Sequence, residues 1–503
     1  MDEYAAAVTL DPRRAALLAE AILANAQTSG IADECGLARA CDPQTALAQL
    51  DNYLCDIKEM RINDGLHIFG RTPDVAVWEA CLPAAALPEL ADCGTREMAA
   101  LMTALDGRFI PPGPAGAPSR GRVDVFPTGR NLYTIDPRHV PTRTAWVLGQ
   151  RAANELVARY LQDHGDWPQR ILLDLWGSAT MRTGGEDLAQ AIALLGVTPV
   201  WDEGSARVSG FTILPHAVLD RPRIDVTLRI SGLFRDVFPQ QIALFNQIVA
   251  AVAALDEADA LNPLAAQHRT VPDAPVSRIF GAAPGAYGTG VMRALIGNDE
   301  ADRMSLGQGY LAGTGYAYDA DAPRPSTGFA VQVRTADAYV HTQDMAGQDV
   351  LDSDAFADHE GGFAAANSAL GGRAALYHLD SSLPEHIKLR SLAEEVARVV
   401  RGRLTNPRWL AGQMRHGHRG AAEIAESVDN LFAFAVLADC VRPHQFELAF
   451  EALVANADVR AFLRAANPAA AAALAARFTL ANARGFWTPR RNSARELLAE
   501  MGA

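Results

Sequence analysis

Between residues 171 and 201 the chain reads ILLDLWGSATMRTGGEDLAQAIALLGVTPVW, and six residues able to do chemistry crowd the polar middle of that stretch: Trp176, Arg182, Gly184, Gly185, Glu186 and Asp187. Paired glycines let another group approach the backbone closely, and the N-terminus of the helix that follows offers free N–H groups to an anion. Arg182 adds a forked donor matched to a carboxylate, and Glu186 can take up a proton. A structural reading stands beside this one: Glu186 and Asp187 favour a first helical turn, and Arg182 pairs with one of them. The stretch SGLFRD poses the same choice for Arg235 and Asp236. Histidine is the other reactive set, with His416 and His418 in RHGHRG, His359 in DHEGG and His67 in DGLHIFG. Imidazole ligates borderline divalent metals and takes a proton near pH 7. His-x-His without a third ligand at fixed spacing equally describes plain loop histidines.

The elements that must hold these residues are α/β. The run RILLDLW, the helix expected from Glu186 to Leu195 and the run GVTPVW read as a βαβ unit, which implies a parallel sheet. A further strand is expected at Arg223–Ser231, followed by the helical run PQQIALFNQIVAAVAAL. Both reactive loops then lie at carboxyl ends of strands, where open α/β sheets bind ligands. The expected organisation is a helical region over 1–109, a Pro/Gly-rich linker or loop over 110–122, an α/β sheet domain over 123–275, and a loop-rich then mainly helical region over 276–503. The fold class is a Rossmann-like parallel sheet region flanked by mainly helical N- and C-terminal regions. Residues from about Ser277 to Gly372 read as loops and short helices, and HIKLRSLAEEVARVVRGRL as a helix striped by Leu389, Leu392, Val396 and Val399.

Composition removes several functions. A net charge of −14 over 503 residues argues against nucleic acid as the main partner. Lys58 and Lys388 are the sole lysines and neither sits in a phosphate-binding loop motif, so no Walker A site exists. Neither G-x-S-x-G nor H-E-x-x-H occurs, and the six cysteines form no C-x-x-C pair. No apolar run is long enough for a membrane span and the N-terminus lacks a signal-peptide pattern, so the expected place is the cytoplasm, away from membranes.

Several long stretches, in order, carry a resemblance: PTGRNLYTIDPRHVPTRTAW, LWGSATMRTGGEDLAQAIALLGVTPVWD, RPRIDVTLRISGLFRDVFPQQIALF, RLTNPRWLAGQMRHGHRGAAEIAESVDNLFAF and NARGFWTPR. The sequence resembles the large subunits of the CobN/magnesium chelatase family, with RTGGED and SVDNLFAF favouring the aerobic cobaltochelatase branch. That resemblance implies insertion of Co²⁺, the substrate metal, into a corrinoid tetrapyrrole, hydrogenobyrinic acid a,c-diamide, in aerobic cobalamin biosynthesis. It implies that ATP and Mg²⁺ are used by AAA+ ATPase partner subunits of the CobS and CobT type and not by this chain. It also implies that this chain corresponds to the C-terminal portion, without the family's H-G-x-x-E-W-x-P-G-K motif and its carboxylate, so that the chain alone is an incomplete chelatase. Within this frame Trp176, Arg182, Gly184, Gly185 and Arg235 are expected to face the substrate. Glu186, His416 and Asp429 are expected to move protons, and His359 and His416 to meet the metal. Asp429 has the alternative of capping a helix that begins at NLFAFAV. The alternatives in function are a magnesium chelatase large subunit acting on protoporphyrin IX, a non-catalytic tetrapyrrole-binding or assembly fragment, and a metal hydrolase built on the histidines.

Overall fold

The structure, a computed structural model, describes residues 4, 7, 11–28, 32, 37, 42, 43, 45–47, 49, 50, 69–71, 87–113, 125–130, 135–270, 277–298, 300–319, 322–345 and 347–502. His67, Lys58, Cys35, Cys41, Cys55, Cys81 and most of the Pro/Gly-rich stretch lie outside them. The chain forms two compact units. One comprises Met1–Leu66, Gly347–Asp354 and Ala393–Ala503, and the other His67–Ala346 and Ala355–Leu392.

The second unit carries the sheets. Its strands are β1 (Arg170–Leu175), β2 (Val197–Trp201), β3 (Val208–Ile213), β4 (Asp225–Ile230), β5 (Ile279–Gly281), β6 (Tyr316–Ala317), β7 (Arg324–Pro325), β8 (Ala338–Gln343), β9 (Ala375–Asp380) and β10 (Lys388–Ser391). Eight of them form one sheet in the order β10-β9-β8-β1-β4-β5-β6-β7. β9, β8, β1, β4 and β5 run parallel, and antiparallel strands close both edges. The chain builds outward from β1 through β4 to β5, then returns to add β8 and β9 on the other side. That is the doubly wound order, and its reversal falls between β1 and β8. Every residue of β4 and β8 is buried, as strands covered by helices on both faces must be.

The helices of this unit include α1 (Cys93–Leu105), α2 (Arg143–His164), α3 (Gly177–Thr183), α4 (Glu186–Leu194) and α5 (Gly232–Val237). Thr142 caps α2 by accepting from the Ala145 amide at 3.1 Å, and left-handed Gly165 ends it. α2 packs on α4 so closely that a Cβ at Gly149 would stand 2.5 Å from that of Ala189. Leu188, Ile192 and Leu195 meet Ile171, Leu173, Val226 and Leu228 in the core beneath, all fully or almost fully buried. Burial of each such side chain stabilises by about 1.5–3 kcal/mol.

Two expectations are corrected here. GVTPVW forms β2, but β2 pairs antiparallel with β3 in a separate two-stranded sheet, and the parallel neighbours of β1 are β4 and β8. Pro199 lacks an amide donor, which suits a short two-stranded ribbon better than a sheet centre. The stretch expected to hold loops and short helices supplies β5 to β8. AYVHTQ escapes a search for continuous apolar runs because it carries Tyr, His, Thr and Gln, although all six of its residues are buried.

The first unit is helical among its described residues. Helix α6 (His418–Leu437) packs on α7 (Pro468–Ala483), and Phe450, Phe478 and Trp487 close an aromatic cluster in which Trp487 Nε1 donates to Glu447 Oε2 at 2.6 Å. Asn406 accepts from the Arg408 amide at 2.9 Å and Pro407 opens the next helix, so Asn-Pro both ends one helix and starts another. Leu389 lies in β10 and only Leu392–Val399 is α-helical, so the expected stripe is divided between a strand and a helix.

Candidate active site at the strand-order switch

The pleat of β4, β1, β8 and β9 lays four polar side chains in one row near the carboxyl ends of the strands. Arg229 is registered against Asp174, and His341 against His378. The β1–β8 pairing ends at Leu173 and Val340, so Asp174 and His341 are the next residues on either side of the switch point. A charge in a doubly covered strand is costly unless paired, and these are paired. A turn of π-helix, Ala357–Gly361, lies over the row and contributes Asp358, His359 and Glu360.

Asp174, fully buried, is the hub. Arg229 Nη1 donates to its Oδ1 at 3.2 Å, while Trp176 Nε1 and the Tyr339 hydroxyl donate to its Oδ2 at 3.2 and 3.3 Å. His359 Nδ1 lies 2.6 Å from the same Oδ2. Burial opposes the charge on Asp174, but Arg229 and then His359 outweigh it and hold the carboxyl well below the usual carboxylate range. Burial pushes the Tyr339 hydroxyl well above its ordinary value and Asp174 adds to it, so Tyr339 keeps its proton and remains a donor.

His359 is the first imidazole of interest. Burial and then Arg229 lower its pKa against the pull of Asp174, which keeps the ring neutral at pH 7. Its Nδ1 also lies 2.5 Å from Arg229 Nη1 and 3.2 Å from Trp176 Nε1. With Nδ1 held against Asp174, Nε2, which lies 3.4 Å from Arg229 Nη1 and 3.9 Å from Asp358 Oδ2, is the atom through which the ring can accept a proton or meet a metal. A carboxylate behind an imidazole fixes its tautomer and raises its basicity in this way.

A second dyad stands beside the first. His378 Nδ1 lies 2.8 Å from Glu360 Oε1 and its Nε2 lies 3.1 Å from Gln343 Oε1. Gln343 Nε2 donates to the Met345 carbonyl, which sets the amide with its oxygen toward His378. Burial opposes the Glu360 charge, yet His378 and His341 hold its pKa below the ordinary value. Between the dyads sits His341, 2% exposed. Its Nδ1 is 3.0 Å from Glu360 Oε1, near enough for charge pairing but out of line for a hydrogen bond, and neither ring nitrogen makes one. His341 is wedged among rings, with centroids 4.6 Å from Trp176 and 5.1 Å from Phe356. Among the described residues no three or more His, Cys, Asp or Glu groups converge as a ready-made metal cage.

The residues singled out in the sequence fall in three places. Trp176 and His359 belong to this cluster. Arg182, at the end of α3, makes a two-pronged pair with Asp344 just beyond β8, Nε to Oδ2 at 2.6 Å and Nη2 to Oδ1 at 2.7 Å. A carboxylate partner of Arg182, Asp344, therefore comes from beyond another strand. Gly184 and Gly185 both have positive φ, and a Cβ on Gly185 would stand 2.6 Å from Val140 Cγ1, so the close approach they permit is made by the chain's own segment 140–142. Glu186 is buried and accepts from Ser381 Oγ at 3.2 Å, just past β9. Arg235 pairs with Asp236 and donates to the carbonyls of Ala283 and Ala286, with its guanidinium 5.3 Å from the centre of the Tyr287 ring. It thereby anchors the Gly- and Tyr-rich loop, whose other end is held by Asp358 accepting from the Thr289 and Met292 amides, both at 2.9 Å. His416 and Asp429 lie in the helical unit. His416 ends the helix Pro407–Arg415, and Asp429 lies well inside α6, 2.8 Å from Arg477 Nε, so the alternative of an N-cap at Asp429 is excluded.

Asp174, Arg229, His341, His378 and Glu360 were not among the expected residues. A lone Asp in RILLDL and a lone Arg in DVTLRI were signals that each needed a partner; which partner depended on strand order.

A Rossmann-like sheet with a buried imidazole–carboxylate cluster at its switch point defines a binding or catalytic α/β protein, and comparison with known proteins narrows the class. The profile of the family CobN/Magnesium Chelatase matches residues 1–87 and 80–494. The chain belongs to that family. It is 40% identical to the aerobic cobaltochelatase subunit CobN of a Sinorhizobium species over 632 residues, covering 100% of this chain and 50% of the relative. Against a magnesium-chelatase subunit of Rhodobacter capsulatus it is 31% identical over 468 residues, covering 88% and 38%. A solved structure titled catalytic subunit of cobaltochelatase from Mycobacterium tuberculosis superposes with a TM-score of 0.84 at 33% identity, over 100% of this chain and 50% of that one. The chain thus spans about half the length of these cobaltochelatase relatives. No described helix is long and apolar enough to cross a membrane.

Proposed function

We propose that this chain is the tetrapyrrole-handling part of a cobaltochelatase large subunit, inserting Co²⁺ into a metal-free corrinoid in the aerobic route to cobalamin. ATP is hydrolysed by AAA+ partner subunits, and the absence of a Walker A motif from this sequence supports that division of labour. Higher identity to the CobN subunit than to the magnesium-chelatase subunit, 40% against 31%, favours cobalt over magnesium.

One observation carries the reading: two imidazole–carboxylate dyads flank a third imidazole whose nitrogens make no hydrogen bond. Insertion exchanges two pyrrolic N–H protons for one divalent metal ion. The site must therefore accept two protons and hold the metal briefly as water leaves it. His359 Nε2 accepts one, and the Asp174 carboxylate behind the ring stabilises the imidazolium that forms. His341 accepts the other, with Glu360 Oε1 3.0 Å from its Nδ1 to balance the charge. Neutral imidazole and carboxylate are also ligands from which Co²⁺ can transfer. Trp176 fixes both Asp174 and His359. Arg182 acts through Asp344 and Arg235 through the 283–287 loop, as positioning residues.

The test is insertion by the complex reconstituted from this chain, a polypeptide supplying the rest of the relatives' length, and the AAA+ partners. The readout is the absorbance change as a metal-free a,c-diamide corrinoid takes up Co²⁺ with ATP present. His359→Ala should slow insertion by about 10²–10⁴-fold, the usual worth of a positioned proton acceptor, while corrinoid still quenches tryptophan fluorescence. Corrinoid binding without insertion by the wild-type complex selects a non-catalytic binding module instead.

A further inference from the structure

Helix α1 presents an apolar stripe to solvent where a soluble helix normally turns a polar face. Met98, Leu101, Met102 and Leu105 follow the i, i+3, i+4, i+7 spacing of one helical face, and all are exposed, Leu105 at 73%. Phe109, 81% exposed, extends the stripe beyond the helix. Exposed Phe69 borders it, because the Gly70 amide donates to Glu97 Oε2 at 2.8 Å and ties that turn to the helix. Beside the stripe runs a trough of about 290 Å³ lined by Ala99, Ala100, Phe109, Ile110, Arg96 and Arg130. Both arginines are exposed, and neither has a carboxylate partner among the described residues. A contiguous apolar surface of this kind marks an interaction site.

The comparisons point to what covers it. The family profile matches in two pieces, 1–87 and 80–494, that meet immediately before α1. The alignment to the Sinorhizobium relative runs over 632 positions against 503 residues of this chain, so at least 129 positions of that relative have no counterpart here. We infer that the α1 stripe is the seat of that unmatched stretch of about 130 residues, which this chain lacks at the 80–87 junction and binds from a separate polypeptide. The occupant presents an apolar face flanked by a carboxylate that reaches Arg96 and Arg130.

The experiment adds the unmatched stretch of the Sinorhizobium relative, as a purified polypeptide, to this chain and measures binding by calorimetry and protection of Met98 and Met102 from peroxide oxidation. Exposed Met304 serves as the unprotected reference. A 1:1 complex is expected in which oxidation of Met98 and Met102 slows at least about tenfold. Leu101→Glu and Arg96→Glu, both at exposed positions, should each weaken binding by about tenfold or more with the melting temperature unchanged. As a second format, the same stretch is spliced into the chain at the junction, which removes any dependence on binding in trans. Unaltered oxidation of Met98 and Met102 in both formats overturns the inference. So does self-association of this chain that Leu101→Glu abolishes.

Discussion

His359 Nδ1 stands 2.6 Å from Asp174 Oδ2, although 185 residues separate them in the chain. Strand β1 places the carboxylate, a π-helical turn places the imidazole, and the reversal of strand order leaves room for the two to meet. Arg229 completes the arrangement from β4, so the pair is held in a fixed protonation pattern: anionic Asp174, cationic Arg229, neutral His359.

Asp174→Asn should therefore be strongly destabilising. It leaves Arg229, 1% exposed, as an uncompensated buried cation, a loss of about 3–5 kcal/mol by urea or guanidinium unfolding. Asp174 has a lowered pKa, so its stabilisation is complete above the unfolded carboxylate pKa and is lost only as pH falls through the folded one. The wild-type contribution should stay constant from pH 8 down to about 4, the unfolded Asp value. An Asp174→Asn protein as stable as wild type would show that the pair does not hold the sheet centre.

His359 gives a pH signature of the same sign in a more accessible range. Its folded pKa is lowered, so the unfolded chain binds the proton more readily once pH drops below about 6.5. Stability should fall with decreasing pH from that point, with a slope of up to about 1.4 kcal/mol per pH unit. His359→Asn should remove this component; the check is denaturant unfolding of both proteins at pH 7.5 and pH 5.5. An identical pH slope in the two would place the titrating group elsewhere.

For Arg182→Ala the expectation changes once Asp344 is in view. A loop arginine free to grip a ligand would leave stability intact, but this one is 14% exposed and pairs with a carboxylate that is 6% exposed. The substitution should be destabilising, by up to about 3 kcal/mol, because it removes the two-pronged partner of the buried Asp344 carboxylate. Arg182→Ala combined with Asp344→Ala should recover part of that loss, and strictly additive losses would contradict the pairing.

The purified chain should hydrolyse no ATP, because neither of its two lysines lies in a phosphate-binding loop. Phosphate release that persists after removal of AAA+ contaminants would contradict this.

Much of the scaffold was legible because it depends on local pattern. RILLDL, the α4 helix and DVTLRI follow from runs, caps and periodicity over about ten residues. The site was legible only in fragments. Trp176 and His359 stood out by type, but Asp174 and Arg229 meet through a register that sets residues 55 apart side by side. His341 is hidden in a strand within the stretch read as loops and short helices, and His378 in a strand that no expected element covered. Arg182 drew attention correctly as a residue needing a carboxylate, yet that carboxylate, Asp344, lies 162 residues away. Local sequence shows that a charge needs a partner, and strand order determines which one it receives.

The most direct test of the chelatase account is His341→Phe in the reconstituted complex, followed by the absorbance change on Co²⁺ insertion and by thermal melting. His341 makes no hydrogen bond and is packed among rings, so a phenyl ring fits its packing and removes a buried polar group whose close neighbour Glu360 Oε1 keeps His378 as a partner. The account predicts a melting temperature equal to or above wild type, retained corrinoid binding, and insertion slowed by about 10²-fold or more. Insertion at the wild-type rate by a stable His341→Phe protein would show that the cluster at the switch point is structural and that the protons go elsewhere.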